Sequence, residues 1–222
     1  MFKKILLYFI MIYSLGNYFQ FFSWYLGDSQ MIIEDAFTLS LNSSLPMFLA
    51  IFLIHFFYYP KIKKDHALVI SFPPIIFLFF TNLGFFISTL NLYFLKLYDV
   101  PEFLNILRSY EIGLLLIISS LIIFIISINT FNEVDENPIP TSSTTQIISQ
   151  SIYRYTRNPM YLAMLILQVG IGMSLSMIHI IFFTIFTYMV LKYYVILPEE
   201  KYLEKKFRAK YLIYKKMVRR WL

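Results

Sequence analysis

Eleven consecutive residues, Tyr153-Arg154-Tyr155-Thr156-Arg157-Asn158-Pro159-Met160-Tyr161-Leu162-Ala163, set two guanidinium groups and three phenols directly before an apolar run. Beyond a tight apolar hairpin, Pro198-Glu199-Glu200 opens a basic helix that ends Tyr211, Tyr214, Val218, Arg219-Arg220-Trp221-Leu222. The chain has no Cys, which removes a thiolate nucleophile, a thiolate metal site and a disulfide framework. His55, His66 and His179 are scattered without the paired spacing of a metal site, so no metal is expected. Chemistry in this chain therefore rests on Arg, Tyr and Glu: charge pairing, hydrogen bonding, and proton transfer by a carboxyl or phenol.

Each of these residues also has a purely structural reading. Arg154 and Arg157 suit positive anchors at a membrane edge, and Tyr153, Tyr155 and Tyr161 an interfacial aromatic belt. Acidic side chains in the first turn of a helix stabilise its positive end by about 0.3 to 1 kcal/mol, which accounts for Glu199 and Glu200 taken alone. Order and spacing together argue for a composite site.

Hydrophobic residues make up 59% of the chain and charged residues 14%, with mean hydropathy +0.66, too apolar for a soluble domain of this length. The reading is all-α: a polytopic membrane helical bundle of about six spans, near 5 to 26, 43 to 60, 67 to 90, 111 to 130, 159 to 177 and 179 to 197, followed by a C-terminal amphipathic interfacial helix. That last helix is read from Leu203, Phe207, Tyr211, Tyr214, Val218 and Trp221, spaced by three or four with Lys and Arg on the other faces. Net charge is +6, but the cations gather at membrane-flanking segments, where anionic headgroups are nearer partners than nucleic acid. Lys3, Lys4, Lys61, Lys63, Lys64 and the cations from Lys201 to Arg220 fall on one side of an even bundle, which predicts cytosolic termini. The loop 131 to 157 shares that side, so the Arg157 cluster and the Glu pair face one aqueous compartment. Within the loop, Pro138-Ile139-Pro140-Thr141-Ser142-Ser143-Thr144-Thr145 reads as a connector, tether or lid.

Pro159 suits the first turn of a helix, with Asn158 as its N-cap. On that helix Tyr161, Met164, Leu165, Gln168 and Gly172 share a face. An unpaired amide is costly at membrane depth, so Gln168 turns this face, and Tyr161 with it, into the bundle. Gly170-Ile171-Gly172 has no preceding strand and reads as close helix packing rather than phosphate binding.

The order Tyr-Arg, Arg-Asn-Pro-Met-Tyr, apolar hairpin, Glu-Glu and aromatic tail resembles the integral-membrane methyltransferases, the isoprenylcysteine carboxyl methyltransferase and phospholipid methyltransferase superfamily, over about residues 111 to 222. The resemblance implies S-adenosylmethionine as cofactor, held at the cytosolic membrane edge by Tyr153, Arg157, Asn158, Pro159, Tyr161, Glu199 and Glu200, with Arg157, Tyr161 and Glu200 as the catalytic candidates. Ser151-Ile152 stands where Gly-Pro is common, Ala163 where a Gly often follows, and Arg208 where Gly usually follows the Phe. Asn158 in place of His removes a side chain that titrates near neutrality, so any general base lies elsewhere.

Transfer of a methyl group from a sulfonium needs an in-line nucleophile, positioning and exclusion of water, and no metal or covalent intermediate. Arg157 suits a bidentate contact with the cofactor carboxylate, and Glu199 or Glu200 its ammonium or ribose hydroxyls. The acceptor reaches the site from the bilayer: a phospholipid amine first, an isoprenylcysteine carboxylate next, then a small lipophilic thiol or phenol. Residues 1 to 110 form the variable, acceptor-side helices and 111 to 222 the methyltransferase core. Two other classes are weighed: a membrane reductase with a nicotinamide cofactor, against which Met160 stands where that class has Asn, and a non-catalytic scaffold.

Overall fold

The computed structural model describes residues 65–96, 99 and 101–221, together with Ile5 and Phe9. The spans expected near 5 to 26 and 43 to 60, His55, and the anchors Lys3, Lys4, Lys61, Lys63 and Lys64 lie outside the described residues, apart from Ile5 and Phe9 within the first span. Among the described residues the regular structure is all helical, with one isolated bridge between Thr156 and Arg219.

Among the described residues six α-helices are present: α1 (Pro73–Thr89), α2 (Tyr110–Asn132), α3 (Pro159–Ser174), α4 (Ile178–Leu191), α5 (Leu197–Phe207) and α6 (Ala209–Met217). Both α1 and α3 begin at a proline, whose missing amide hydrogen costs nothing in a first turn. A π-helical turn, Lys192–Ile196, joins α4 to α5, so the helix runs on from Ile178 to Phe207. The basic helix thus continues span six instead of restarting at Pro198; the wider turn accommodates the proline that an unbroken α-ladder would not.

Helix α2 packs along α3, and α1 along α4, with α3 against α4 between the two pairs. Small residues set these distances. A Cβ on Gly170 would lie 2.9 Å from the Gly113 carbonyl oxygen, and one on Gly84 2.7 Å from Ile180 Cα, so these helices meet backbone to backbone. The expected packing role of Gly170 and Gly172 is what the contacts show. Gln168 is fully buried and its Oε1 accepts from Thr187 Oγ1 at 2.7 Å, which places the α3 face of Tyr161, Met164 and Gln168 inside the bundle as expected.

Among the described residues two helices are long and apolar enough to cross a membrane, Tyr110–Asn132 with mean hydropathy 2.6 and Ile178–Phe207 with 2.0. The apolar part of the second ends at Leu197, before Pro198-Glu199-Glu200. On α2, Leu115, Ile118, Leu121, Ile122 and Ile125 all point outward and exposed, while Gly113, Ser120, Ser127 and Thr130 face inward. An outer face of that kind belongs in lipid, and the chain is a membrane protein.

The tail departs from expectation. Instead of one continuous helix, α5 and α6 are separated by a break at Arg208, and the stripe of Tyr211, Tyr214 and Val218 packs onto Leu203, Phe207 and Ile147. The partner for that stripe is the 133–158 connector, which brings Ile147 and the Tyr153 carbonyl, a 2.8 Å acceptor for Tyr214 Oη, to meet it.

Candidate functional site

The connector between α2 and α3 is built rather than slack. Glu136 Oε1 accepts from the backbone N–H of Thr145 at 2.8 Å and of Gln146 at 3.1 Å, and from the Thr145 hydroxyl, closing the Pro-rich segment into a loop. Tyr202 and Lys206 of α5 reach the same loop: Thr144 N–H donates to Tyr202 Oη, and Lys206 donates to Ser143 Oγ at 2.9 Å and pairs with Asp65. Beneath this loop lies a cleft of about 870 Å³, walled by Asn137 to Pro140, Tyr153, Arg157 to Tyr161, Glu199, Glu200, Tyr202, Tyr211 and Tyr214. All seven residues expected from the sequence, Tyr153, Arg157, Asn158, Pro159, Tyr161, Glu199 and Glu200, line it together.

The tail fixes the near wall. Arg157 N–H donates to the Arg219 carbonyl at 3.0 Å, while Thr156 Oγ1 and Asn158 Nδ2 both donate to the Arg220 carbonyl. Asn158 therefore occupies the N-cap position of α3 without capping it: its side chain is spent on the tail.

Glu200 is 6% exposed at its side chain and ringed by cations. Arg220 grips it as a two-pronged fork, Nε on Oε1 and Nη2 on Oε2, each at 2.9 Å. Arg157 Nη2 lies 3.3 Å from Oε1 and Lys215 Nζ 3.8 Å from Oε2. Burial by itself raises the Glu200 pKa, but the Arg220 hydrogen bonds and the charges of Arg157, Arg220 and Lys215 outweigh it and hold it below the usual range.

Glu199 stands apart from those cations. It is partly buried in the cleft wall and accepts from Tyr161 Oη at 2.8 Å on Oε1 and 3.0 Å on Oε2. Desolvation pushes its carboxyl up to about 8, Tyr161 counters part of the rise, and the Glu200 charge adds to it. Tyr153, Tyr211 and Tyr214 are buried and held well above the ordinary phenol range, first by desolvation, so they serve as neutral donors and walls.

Arg157 is the least satisfied group here. Its side chain is 8% exposed, only Nη2 meets Glu200, and its Nε and Nη1 have no hydrogen-bond partner among the described residues. A buried donor left unpaired costs about 1 to 3 kcal/mol, which argues for an anionic partner arriving in the cleft.

Sequence reasoning missed the roles of Arg220, Lys215 and the Asn137 to Ile148 wall. The visible signal was the Arg219-Arg220 doublet, which reads equally well as a membrane-flanking charge. A second, apolar pocket of about 490 Å³ adjoins the cleft between α1, α2 and α3, lined by Phe72, Pro73, Phe124, Ile128 and Met164. The two share Pro138, Ile139, Pro140, Met160 and Tyr161, so Tyr161 stands at the boundary between charged and apolar space. Among the described residues no group of three or more His, Asp or Glu converges as a metal site.

No curated protein and no solved structure matches the chain. Residues 109–210, from the start of α2 into α6, match the family described as phospholipid methyltransferase, and this stretch holds all seven expected site residues.

Proposed function

We propose that the protein transfers a methyl group from S-adenosylmethionine to a membrane-partitioning acceptor, with a phospholipid amine as first choice and an isoprenylcysteine carboxylate as second. The observation that carries this reading is Arg157, buried in the cleft with Nε and Nη1 unpaired among the described residues, in a wall it shares with Glu199, whose hydrogen-bond partner is Tyr161. The donor set fits the group: Arg157 Nε and Nη1 suit its carboxylate, Glu199 its ammonium, and Tyr153 and Tyr211 its adenosine face. When bound, the cofactor supplies a methyl on a positively charged sulfur, ready for in-line displacement. A scaffold has no use for an orphaned buried guanidinium.

The protein's own part is positional. The Arg219 and Arg220 carbonyls fix the 156–158 backbone, the Glu136 loop covers the cleft from water, and Tyr161 orients whatever stands between cleft and apolar pocket. That pocket suits an acceptor's hydrocarbon, brought in from the bilayer beside residues 1 to 110, while residues 111 to 222 form the core. An amine acceptor must arrive or become unprotonated, and Glu199, hydrogen-bonded to Tyr161, is placed to take that proton through Tyr161 in its ionised form, which its raised pKa confines to about pH 8 and above. The positive charge on α5 and α6 supports a site on the cytosolic face, with both termini there.

Calorimetry with S-adenosylmethionine, followed by single-turnover transfer to phosphatidylethanolamine in nanodiscs, tests the reading. Arg157→Lys is expected to weaken cofactor binding about tenfold or more, because an ammonium lacks the planar two-point contact. Tyr161→Phe is expected to spare binding and slow transfer. Wild-type behaviour in both variants, or no binding by the wild type, overturns the assignment.

A further inference from the structure

Arg157 faces a choice between two anions. Glu200 is its neighbour inside the protein, and with both oxygens free it would take the whole guanidinium face as a two-pronged partner. The structure shows a single contact, Nη2 to Oε1 at 3.3 Å, beside the Arg220 fork, which holds both oxygens at 2.9 Å. Lys215 is the other cation present, but it stands 3.8 Å away and is paired with Glu204. Arg220 is itself pinned through its own carbonyl, which accepts from Thr156 Oγ1 at 3.1 Å and Asn158 Nδ2 at 3.0 Å, one residue to either side of Arg157. It also lies beyond residues 109–210, outside the family match.

We infer that Arg220 is a positioning residue: by holding Glu200 in its two-pronged fork it keeps Arg157 open toward the cleft, and thereby sets the affinity for the carboxylate end of the methyl donor. The inference rests on the proposed function for the identity of the ligand. Its core, an internal carboxylate kept from capturing the ligand-binding guanidinium, rests on the geometry above. Without Arg220, Glu200 draws Arg157 into a closed pair and the ligand carboxylate loses its partner. Without both Arg220 and Glu200, that competing carboxylate is gone, and Arg157 is open toward the cleft again.

The test compares S-adenosylmethionine with its decarboxylated analogue, which keeps the sulfonium and ammonium but lacks the carboxylate, by calorimetry on the full chain in detergent. The wild type is expected to prefer the carboxylate-bearing ligand by about tenfold or more. Arg220→Gln removes most of that preference while binding the decarboxylated analogue as the wild type does, and the double variant Arg220→Gln with Glu200→Gln restores it. Should Arg220→Gln not fold, Arg220→Lys, which keeps the charge but not the fork, is expected to show the same selective loss. Equal weakening of both ligands, an unchanged preference, or no recovery in the double variant overturns the inference. Failure of the wild type to bind either ligand overturns instead the reading of the site as a methyl-donor site.

Discussion

Glu199 and Glu200 are adjacent in the chain yet occupy opposite electrostatic surroundings, and opposite mutational responses follow. Glu199 in the folded state holds its proton up to about 8 against an ordinary 4.5. The native state is then the one that keeps the proton, so the stability this group contributes is present below pH 4.5 and lost as pH rises toward 8. Gln cannot ionise, so Glu199→Gln is expected to match the wild type in acid and to melt at higher temperature near pH 8. Glu200 has its pKa depressed, so its contribution is present above 4.5 and disappears as pH falls through the lowered value. Its replacement by Gln strands Arg157 and Arg220 beside a neutral amide and should cost roughly 3 kcal/mol at neutral pH. Thermal unfolding of both variants at pH 4.5, 6 and 8 checks the pair of signs; parallel shifts in the two would contradict the charge layout.

Among the elements, the break between α5 and α6 is the most exposed to test. Arg208 adopts φ 48° and ψ −121°, a conformation that glycine takes easily and a side chain does not. Arg208→Gly should therefore raise stability by about 1 kcal/mol, with Arg208→Ala near neutral, as read by thermal or denaturant unfolding. Arg208 and Ser151, two positions where the resembled family has Gly, both carry positive φ here, at 48° and 51°. Two of the three departures visible in the sequence thus mark turns of positive φ, while Ala163 lies inside α3. Other elements were legible from local rules: proline at N1 marks the start of α3, and the apolar run 111 to 130 lies within α2, Tyr110–Asn132. The tail was harder to read for a definite reason. A stripe at steps of three and four states that an apolar partner exists, not whether it is a bilayer or a protein loop. Tyr211 and Tyr214 found Ile147 and the Tyr153 carbonyl because Glu136 folds the connector over them. Likewise a terminal Arg pair reads as positive-inside charge until its partner, Glu200, is seen at 2.9 Å.

For the whole molecule, the lengths of the helices matter more than any single contact. Helix α4, the π turn and α5 form one rod of 30 residues, from Ile178 to Phe207. The 21 steps from Ile178 to Glu199 cover about 32 Å at a rise of 1.5 Å per residue, close to the roughly 30 Å of a bilayer's hydrocarbon core. Glu199 and Tyr161 are accordingly expected where acyl chains give way to headgroups. In bilayers of graded chain length at a fixed amount of acceptor lipid, methyl transfer should pass through a maximum at intermediate thickness, while affinity for the water-soluble cofactor stays level; a flat profile would count against this placement. On the proposed function the rod then works as a depth gauge. It presents to the cleft only those atoms that ride at its own level, so a lipid is sorted by how far below the surface its reactive group lies, before any pocket has inspected its shape.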